Sequence, residues 1–243
     1  MARRSVEPCG EMLKVSAYET SHTDVEHDLL DRVLPDHARV LDAGCGRTTR
    51  LCEYHARIDE LVGVDVDVPA GLENRWLDRF EACDLCGSLP FGDASFDVVY
   101  ANFVVEHLAA PQRAFSEWRR VLAPGGALVL LTSNRANPAI RLAQAVPQRV
   151  RVAVKHGLAR VEERDVFPAV YRANTVRRLE QMLVQAGFAR IDLHGVATLH
   201  RYAGAHGTLA VLLRAGERVL PAGRRSTIVA AYRAVASEMA RAA

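Results

Sequence analysis

Apolar positions change their period several times along the chain, and each change predicts an element. Val25, Leu29, Leu30, Val33 and Leu34 recur at the three- and four-residue steps of one helix face, and Pro35 closes the helix that opens at His22. Residues 39–42 are a short apolar run that stops at an acid and a glycine-rich turn. Helical spacing resumes over residues 48–57. A second buried-type strand covers residues 60–65, and a short third strand is expected around residues 80–84. Residues 96–101 predict a fourth strand, residues 111–122 a helix with Phe115, Trp118, Val121 and Leu122 on one face, and residues 127–132 a fully buried fifth strand after a Pro124–Gly125–Gly126 turn.

The second half is less regular. Broken helical spacing runs over residues 139–164, where Pro147 predicts a split into two helices. Val176, Leu179, Met182 and Leu183 define an amphipathic helix over residues 175–186, with Gly187 suited to its C-terminal cap. Residues 189–196 alternate like a strand, residues 208–220 read as a helix and residues 227–232 as a last strand. Strands alternating with helices, without hairpin turns, imply βαβ units, a parallel sheet and helices on both faces.

Composition narrows the class. Of 243 residues, 49% are hydrophobic and 25% charged, the balance of a globular protein with a full core. The longest strongly apolar run, near residues 126–132, falls far short of the roughly 20 residues that span a bilayer. Lys+Arg of 31 against Asp+Glu of 29 leaves a net charge of +2, too small to argue for nucleic acid. No apolar stretch follows the polar N-terminus, so no secretory signal is expected. Five cysteines (Cys9, Cys45, Cys52, Cys83, Cys86) fit a reducing cytoplasm better than a disulfide framework.

The most informative stretch is residues 40–48, where a buried strand runs into Gly44 and Gly46 and a helix follows. Glycine permits a sharp turn and a close approach of backbone to ligand, and the helix N-terminus beyond offers N–H groups to a carboxylate or phosphate. Asp65, at the end of the next strand, is placed to accept hydrogen bonds from ribose hydroxyls. A tight turn without a ligand is the alternative. The dinucleotide fingerprint asks for glycine where this chain has Thr49, and Asp42 before the loop is unusual for an NAD site.

From Asp42–Ala43–Gly44–Cys45–Gly46 the chain resembles motif I of class I S-adenosylmethionine (SAM)-dependent methyltransferases, most closely the type 11 group acting on small molecules. The similarity continues in order through residues 63–65, 83–91, 95–99, 105–108 and 120–126. The resemblance implies an α/β, Rossmann-like, doubly wound, seven-stranded, mostly parallel sheet with its last strand antiparallel and extra C-terminal helices. It implies SAM as cofactor. Asp42 would act on the ammonium while N–H groups of the Ala43–Gly44–Cys45–Gly46 loop serve the carboxylate. Asp65 would bind the ribose, and Asp84 the adenine amine. Leu85 would offer a backbone N–H to the ring, while the apolar side chains of Val66, Leu85 and Phe103 could sandwich adenine or simply be buried. Asn102, where the first and fourth strands meet, would lie near the methyl. His107 would line the pocket and act as base, or cap the local structure.

Cys83 and Cys86 lack a second pair at zinc spacing, so no metal is expected. The fourth strand ends Tyr100–Ala101–Asn102–Phe103, unlike the Asp-Pro-Pro-Tyr type of nucleic-acid amino-methylating enzymes. The reading is direct, in-line methyl transfer to a small molecule at oxygen, by one domain over residues 1–243 in the cytoplasm. Acceptor selection is assigned to a tail or lid at residues 1–21 and to residues 135–172 and 200–225. Tyr171 and Arg172 are candidate acceptor contacts, and His194, His200 and His206 are expected at the surface. Arg149, Arg151, Lys155 and Arg160 could face an anionic substrate, a membrane surface or solvent. The alternatives are an NAD(P)-binding oxidoreductase and a non-catalytic SAM-binding protein.

Overall fold

A computed structural model describes residues 21–145, 168–200 and 207–235. The expected lid at residues 1–21 lies outside these except for Ser21, as do Pro147, Arg149, Arg151, Lys155, Arg160 and His206.

The chain opens with α1 (His22–Val33), started by Ser21, whose hydroxyl accepts from the Asp24 N–H while the Asp24 carboxylate accepts from the Ser21 N–H. Five parallel strands follow: β1 (Ala38–Ala43), β2 (Ile58–Asp65), β3 (Arg79–Ala82), β4 (Phe96–Asn102) and β5 (Leu122–Ser133). Between them lie α2 (Val68–Glu73) and α3 (Pro111–Val121). The rest comprises α4 (Pro138–Ala145), α5 (Val176–Gln185), β6 (Phe188–Val196), α6 (Gly207–Arg218) and β7 (Thr227–Ala234). The sheet order is β3-β2-β1-β4-β5-β7-β6, and β7 runs antiparallel to both β5 and β6. The expected doubly wound sheet with an antiparallel last strand is therefore present, and the segment read as that strand supplies it.

Alternate residues of each central strand feed two cores, one per face. Leu41, Ala43, Val99 and Ala101 pack with Phe115, Trp118 and Leu183 on the face covered by α3 and α5. Val40, Val98, Tyr100 and Val129 pack with Leu29, Leu30 and Leu51 on the face covered by α1. Asp42 belongs by alternation to the second face, where apolar residues would be the default.

Several elements depart from the sequence reading. The segment after the glycine loop is a 3-10 helix over Arg50–Arg57 rather than an α-helix. Its eight residues span about 16 Å, against about 12 Å as an α-helix, and β2 begins directly at Ile58, so a short crossover reaches back with no residues to spare. The third strand stops at Ala82, which leaves Asp84 in the turn beyond it. β5 starts at Leu122, and the expected turn is absorbed as an irregularity in its pairing with β4, with Gly125 at φ +77°. His107 ends a single 3-10 turn, Val105–His107. α2 carries too little periodic signal in six residues to be read from sequence.

Candidate cofactor and active site

β1 and β4 are adjacent, yet their crossovers leave in opposite directions, and a crevice forms beyond their C-terminal ends. Asp42 stands there in register with Gly63 of β2 and Tyr100 of β4. It is 1% exposed, takes a hydrogen bond from Thr49, and its Oδ2 is buried without a partner. Burial pushes its carboxyl up to about 7. Two residues beyond Tyr100, on the same face by alternation, Asn102 holds a second buried oxygen, Oδ1, without a partner.

Behind Asp42 lies a group the sequence reading missed. Glu26 of α1 is fully buried; it accepts from Arg50 Nε at 2.8 Å and from the Tyr100 hydroxyl. Burial raises the Glu26 carboxyl, opposed by the Arg50 charge. The signal was a glutamate inside the apolar stripe of α1, one position after Val25 and three before Leu29.

The glycine loop does not offer its donors as expected. Gly44 and Cys45 N–H groups both donate to the Val64 carbonyl, at 2.8 and 3.2 Å, and the Gly46 N–H donates to Asp65 Oδ2 at 2.9 Å. Asp65 Oδ1 accepts from the Asp67 N–H at 2.9 Å, so this side chain ties the loop to the end of β2. Nor does Gly44 make room for a ligand: at φ +81°, a Cβ here would meet Val104 Cγ2 at 2.2 Å, whereas Gly46, at φ +51°, faces open space. The Cys45 side chain points inward, its sulfur 2.8 Å from where a Gly63 Cβ would stand, and burial holds the thiol far above its ordinary range. Ala43 is buried in β1. Asn74, also missed, donates to the carbonyls of Cys45 and Gly46 and fixes the loop from behind.

The three apolar residues assigned to an adenine sandwich are dispersed. Val66 is 58% exposed, Leu85 is buried in the core on the α3 face, and Phe103 packs against the core of the opposite face. Leu85 faces inward because its turn is drawn tight by Asp84, whose Oδ1 accepts from the Cys86 N–H at 2.8 Å. Asp84 itself is exposed. Phe103 adopts φ +54°, an unusual state for a bulky residue, with its ring edge-on to His22 at 6.4 Å. Cys86 Sγ accepts from the Ala110 N–H.

Beyond β4 and β5 a second polar cluster forms. Glu106 is 4% exposed; its carboxylate accepts from Thr132 Oγ1 at 2.7 Å and Ser133 Oγ at 2.9 Å, and its carbonyl accepts from the N–H groups of Val170 and Tyr171. Asn174 donates to Thr132 Oγ1 at 2.6 Å. His107 Nδ1 lies 3.0 Å from the Pro168 carbonyl. A carbonyl only accepts, so Nδ1 carries a proton. Tyr171 and Arg172 line a cavity of about 410 Å³ that also reaches Arg113 and Arg178. His194 is half-exposed and pairs with Asp192.

A reversed strand order with an acid-lined crevice at the switch point defines a Rossmann-like nucleoside-binding fold. Comparison with known proteins carries this further. Residues 41–130 match the family model described as a methyltransferase domain. Trans-aconitate 2-methyltransferase of Variovorax paradoxus is 33% identical over 136 residues, which cover 53% of this chain and 52% of that protein. The ubiquinone/menaquinone biosynthesis C-methyltransferase UbiE of Roseobacter denitrificans is 32% identical over 124 residues, covering 46% and 48%. The chain thus spans about half the length of the curated relatives it matches. A solved structure of an S-adenosylmethionine-dependent methyltransferase from Mesorhizobium loti shares the fold with a TM-score of 0.59 at 17% identity, covering 88% of this chain and 98% of that one. Residues 41–130 of the chain thus match the methyltransferase-domain family, within a fold that the chain shares with SAM-dependent methyltransferases.

The residues present fit that family's cofactor. Two orphaned buried oxygens, on Asp42 and Asn102, suit an ammonium donor, and the open space at Gly46 beside Asp65 suits a ribose.

Proposed function

We propose that this chain transfers a methyl group from SAM to an oxygen of a small-molecule acceptor by direct in-line displacement. The carrying observation is the pair of unpartnered buried acceptors, Asp42 Oδ2 and Asn102 Oδ1, on one face at the β1–β4 switch point. A buried acceptor without a donor is costly, and a cationic ligand that satisfies both recovers that cost.

When bound, SAM supplies a methyl already activated on a sulfonium sulfur. The protein's work is then alignment, which can contribute on the order of 7–11 kcal/mol to lowering a barrier. In this reading Asp42 and Asn102 hold the ammonium end. Asp65 keeps the glycine loop in place through Gly46 and presents its carboxylate to the ribose diol. Asp84, exposed at the turn after β3, takes the adenine amine, with the backbone of Leu85 beside it; Ala43, Gly44 and Cys45 shape the floor, and Val66 and Phe103 flank the nucleoside. His107, its ring oriented by the Pro168 carbonyl, is the candidate base for the acceptor hydroxyl, which supports oxygen as the methylated atom. Acceptor selection is assigned to residues 1–21, 135–172 and 200–225 of a single cytoplasmic domain, and neither nucleic acid nor a metal is needed.

Calorimetric titration with SAM, S-adenosylhomocysteine and NADH tests the reading. Binding of the two sulfur nucleosides and not NADH is expected; binding of NADH alone would reject it. With an acceptor in hand, His107→Ala should slow single-turnover methyl transfer about 100-fold while S-adenosylhomocysteine affinity holds. An unchanged rate would remove His107 as the base.

A further inference from the structure

The cavity beyond β4 and β5 is lined by charges of one sign. Four guanidinium groups line its roughly 410 Å³, and no carboxylate does. They come from separate parts of the chain: Arg113 from the first turn of α3, Arg135 from just after β5, Arg172 from the segment leading to α5, and Arg178 from the first turn of α5. Several other arginines are paired with acids. Arg39 lies on Asp97, Arg57 on Asp31 and Asp36, Arg120 on Glu117 and Asp93, and Arg190 on Glu180. Among the described residues none of the four cavity arginines has a carboxylate partner; Arg135 donates to the Gln144 side-chain oxygen.

Backbone dipoles add to the same sign. Arg113 and Arg178 each occupy the third position of a helix, in the first turn where the dipole is positive; the Arg113 N–H donates to the Ala110 carbonyl and the Arg178 N–H to Thr175 Oγ1, and neither acceptor carries a charge. Neither helix has an acid in its first turn, and Ala110 gives α3 no side-chain cap. Cations at helix N-termini are in the unfavourable sense, and an anion placed between them reverses the sign of every one of these interactions. Tyr171 and Met182 supply an aromatic and an apolar wall. The Tyr171 N–H donates to the Glu106 carbonyl, which puts the cavity one residue from His107.

We infer that this cavity binds the oxyanion groups, carboxylate or phosphate, of a small molecule, and that it selects an acceptor bearing them. Its role in acceptor choice rests on the methyl-transfer reading; its affinity for oxyanions does not.

The experiment titrates the full chain calorimetrically with tricarballylate and with inorganic pyrophosphate, and separately with S-adenosylhomocysteine. It compares wild type, the Arg113→Gln/Arg178→Gln double variant and the control Arg177→Gln, an exposed arginine on the same turn of α5 that does not line the cavity. At least one probe should bind wild type, about tenfold more weakly to the double variant, and within about twofold of wild type to the control. S-adenosylhomocysteine affinity should not change. Tighter binding of tricarballylate assigns carboxylate, and tighter binding of pyrophosphate assigns phosphate. Because both replaced side chains are exposed and oppose their helix dipoles, the double variant should melt no lower than wild type without ligand. Failure of both probes to bind wild type, or an equal loss in the control, overturns the inference. Failure of S-adenosylhomocysteine alone to bind refutes the cofactor reading and leaves the cavity result standing.

Discussion

The two ends of the crevice are built with opposite chemistry. On the β1 side, Asp42 and Glu26 are buried acids, only Glu26 being paired with an arginine, and Asp65 and Asp84 stand at the rim. On the β5 side, four exposed arginines surround a cavity without an acid. The first region is enclosed and held by backbone hydrogen bonds, while the second is open and held apart by its own charge. A cationic cofactor and an anionic acceptor would each find the complementary end, and each would be repelled from the other. The difference also separates what stability and what recognition demand. The acid side is woven into the core, so changes there strike folding and binding together, whereas the arginine side can be altered with little cost to the fold.

The largest effect expected from breaking this contrast is at Gly44. Gly44→Ala places a Cβ 2.2 Å from Val104 Cγ2 at φ +81° and should cost about 3 kcal/mol of stability. Urea denaturation should show a lower midpoint with an unchanged slope. Next, Asp65→Ala removes the acceptor of the Gly46 and Asp67 N–H groups and should weaken S-adenosylhomocysteine at least about tenfold. Unchanged affinity in a folded variant would take Asp65 out of the site.

A pH series sharpens the comparison further. Folding raises the Asp42 carboxyl, so the native state binds that proton more tightly than the unfolded chain does. Its contribution to stability is therefore full below the ordinary carboxylate value and is lost as the pH rises through about 7. Ionisation over the same window strengthens the pull on an ammonium group. S-adenosylhomocysteine should bind up to about tenfold more tightly at pH ~8 than at pH ~6, and Asp42→Asn should flatten the difference. The smallest effect is in salt. Between about 0.05 M and about 0.5 M salt, affinity for the oxyanion probes should fall severalfold at the exposed arginines, while affinity on the buried acid side changes less than about twofold.

Much of this arrangement was legible in the residue order. Period-two and buried runs located every strand of the sheet, because a strand's alternation is fixed by its own backbone. The glycine loop and the acids at positions 42, 65 and 84 were visible because their spacing follows from one βαβ unit. What escaped depended on partners far away in sequence. Glu26 read as an intruder in an apolar stripe until Tyr100 and Arg50 were brought beside it. Asn74 carried no local signal for its grip on the glycine loop. The loop N–H groups looked available to a ligand until the Val64 carbonyl and Asp65 claimed them. Leu85 and Phe103 parted for a related reason: both are apolar, but only the packing decides which core each enters.

The amino-acid order alone settled the class of fold, the position of the switch point and the family resemblance, since these rest on local periodicity and on motifs closed within a few tens of residues. Tertiary structure alone decided which polar groups are already spent and which are left wanting a partner. It also gathered four arginines from four segments around one cavity. Hydrogen-bond saturation and electrostatic potential are sums over neighbours in space, and the chain does not reveal those neighbours until it has folded.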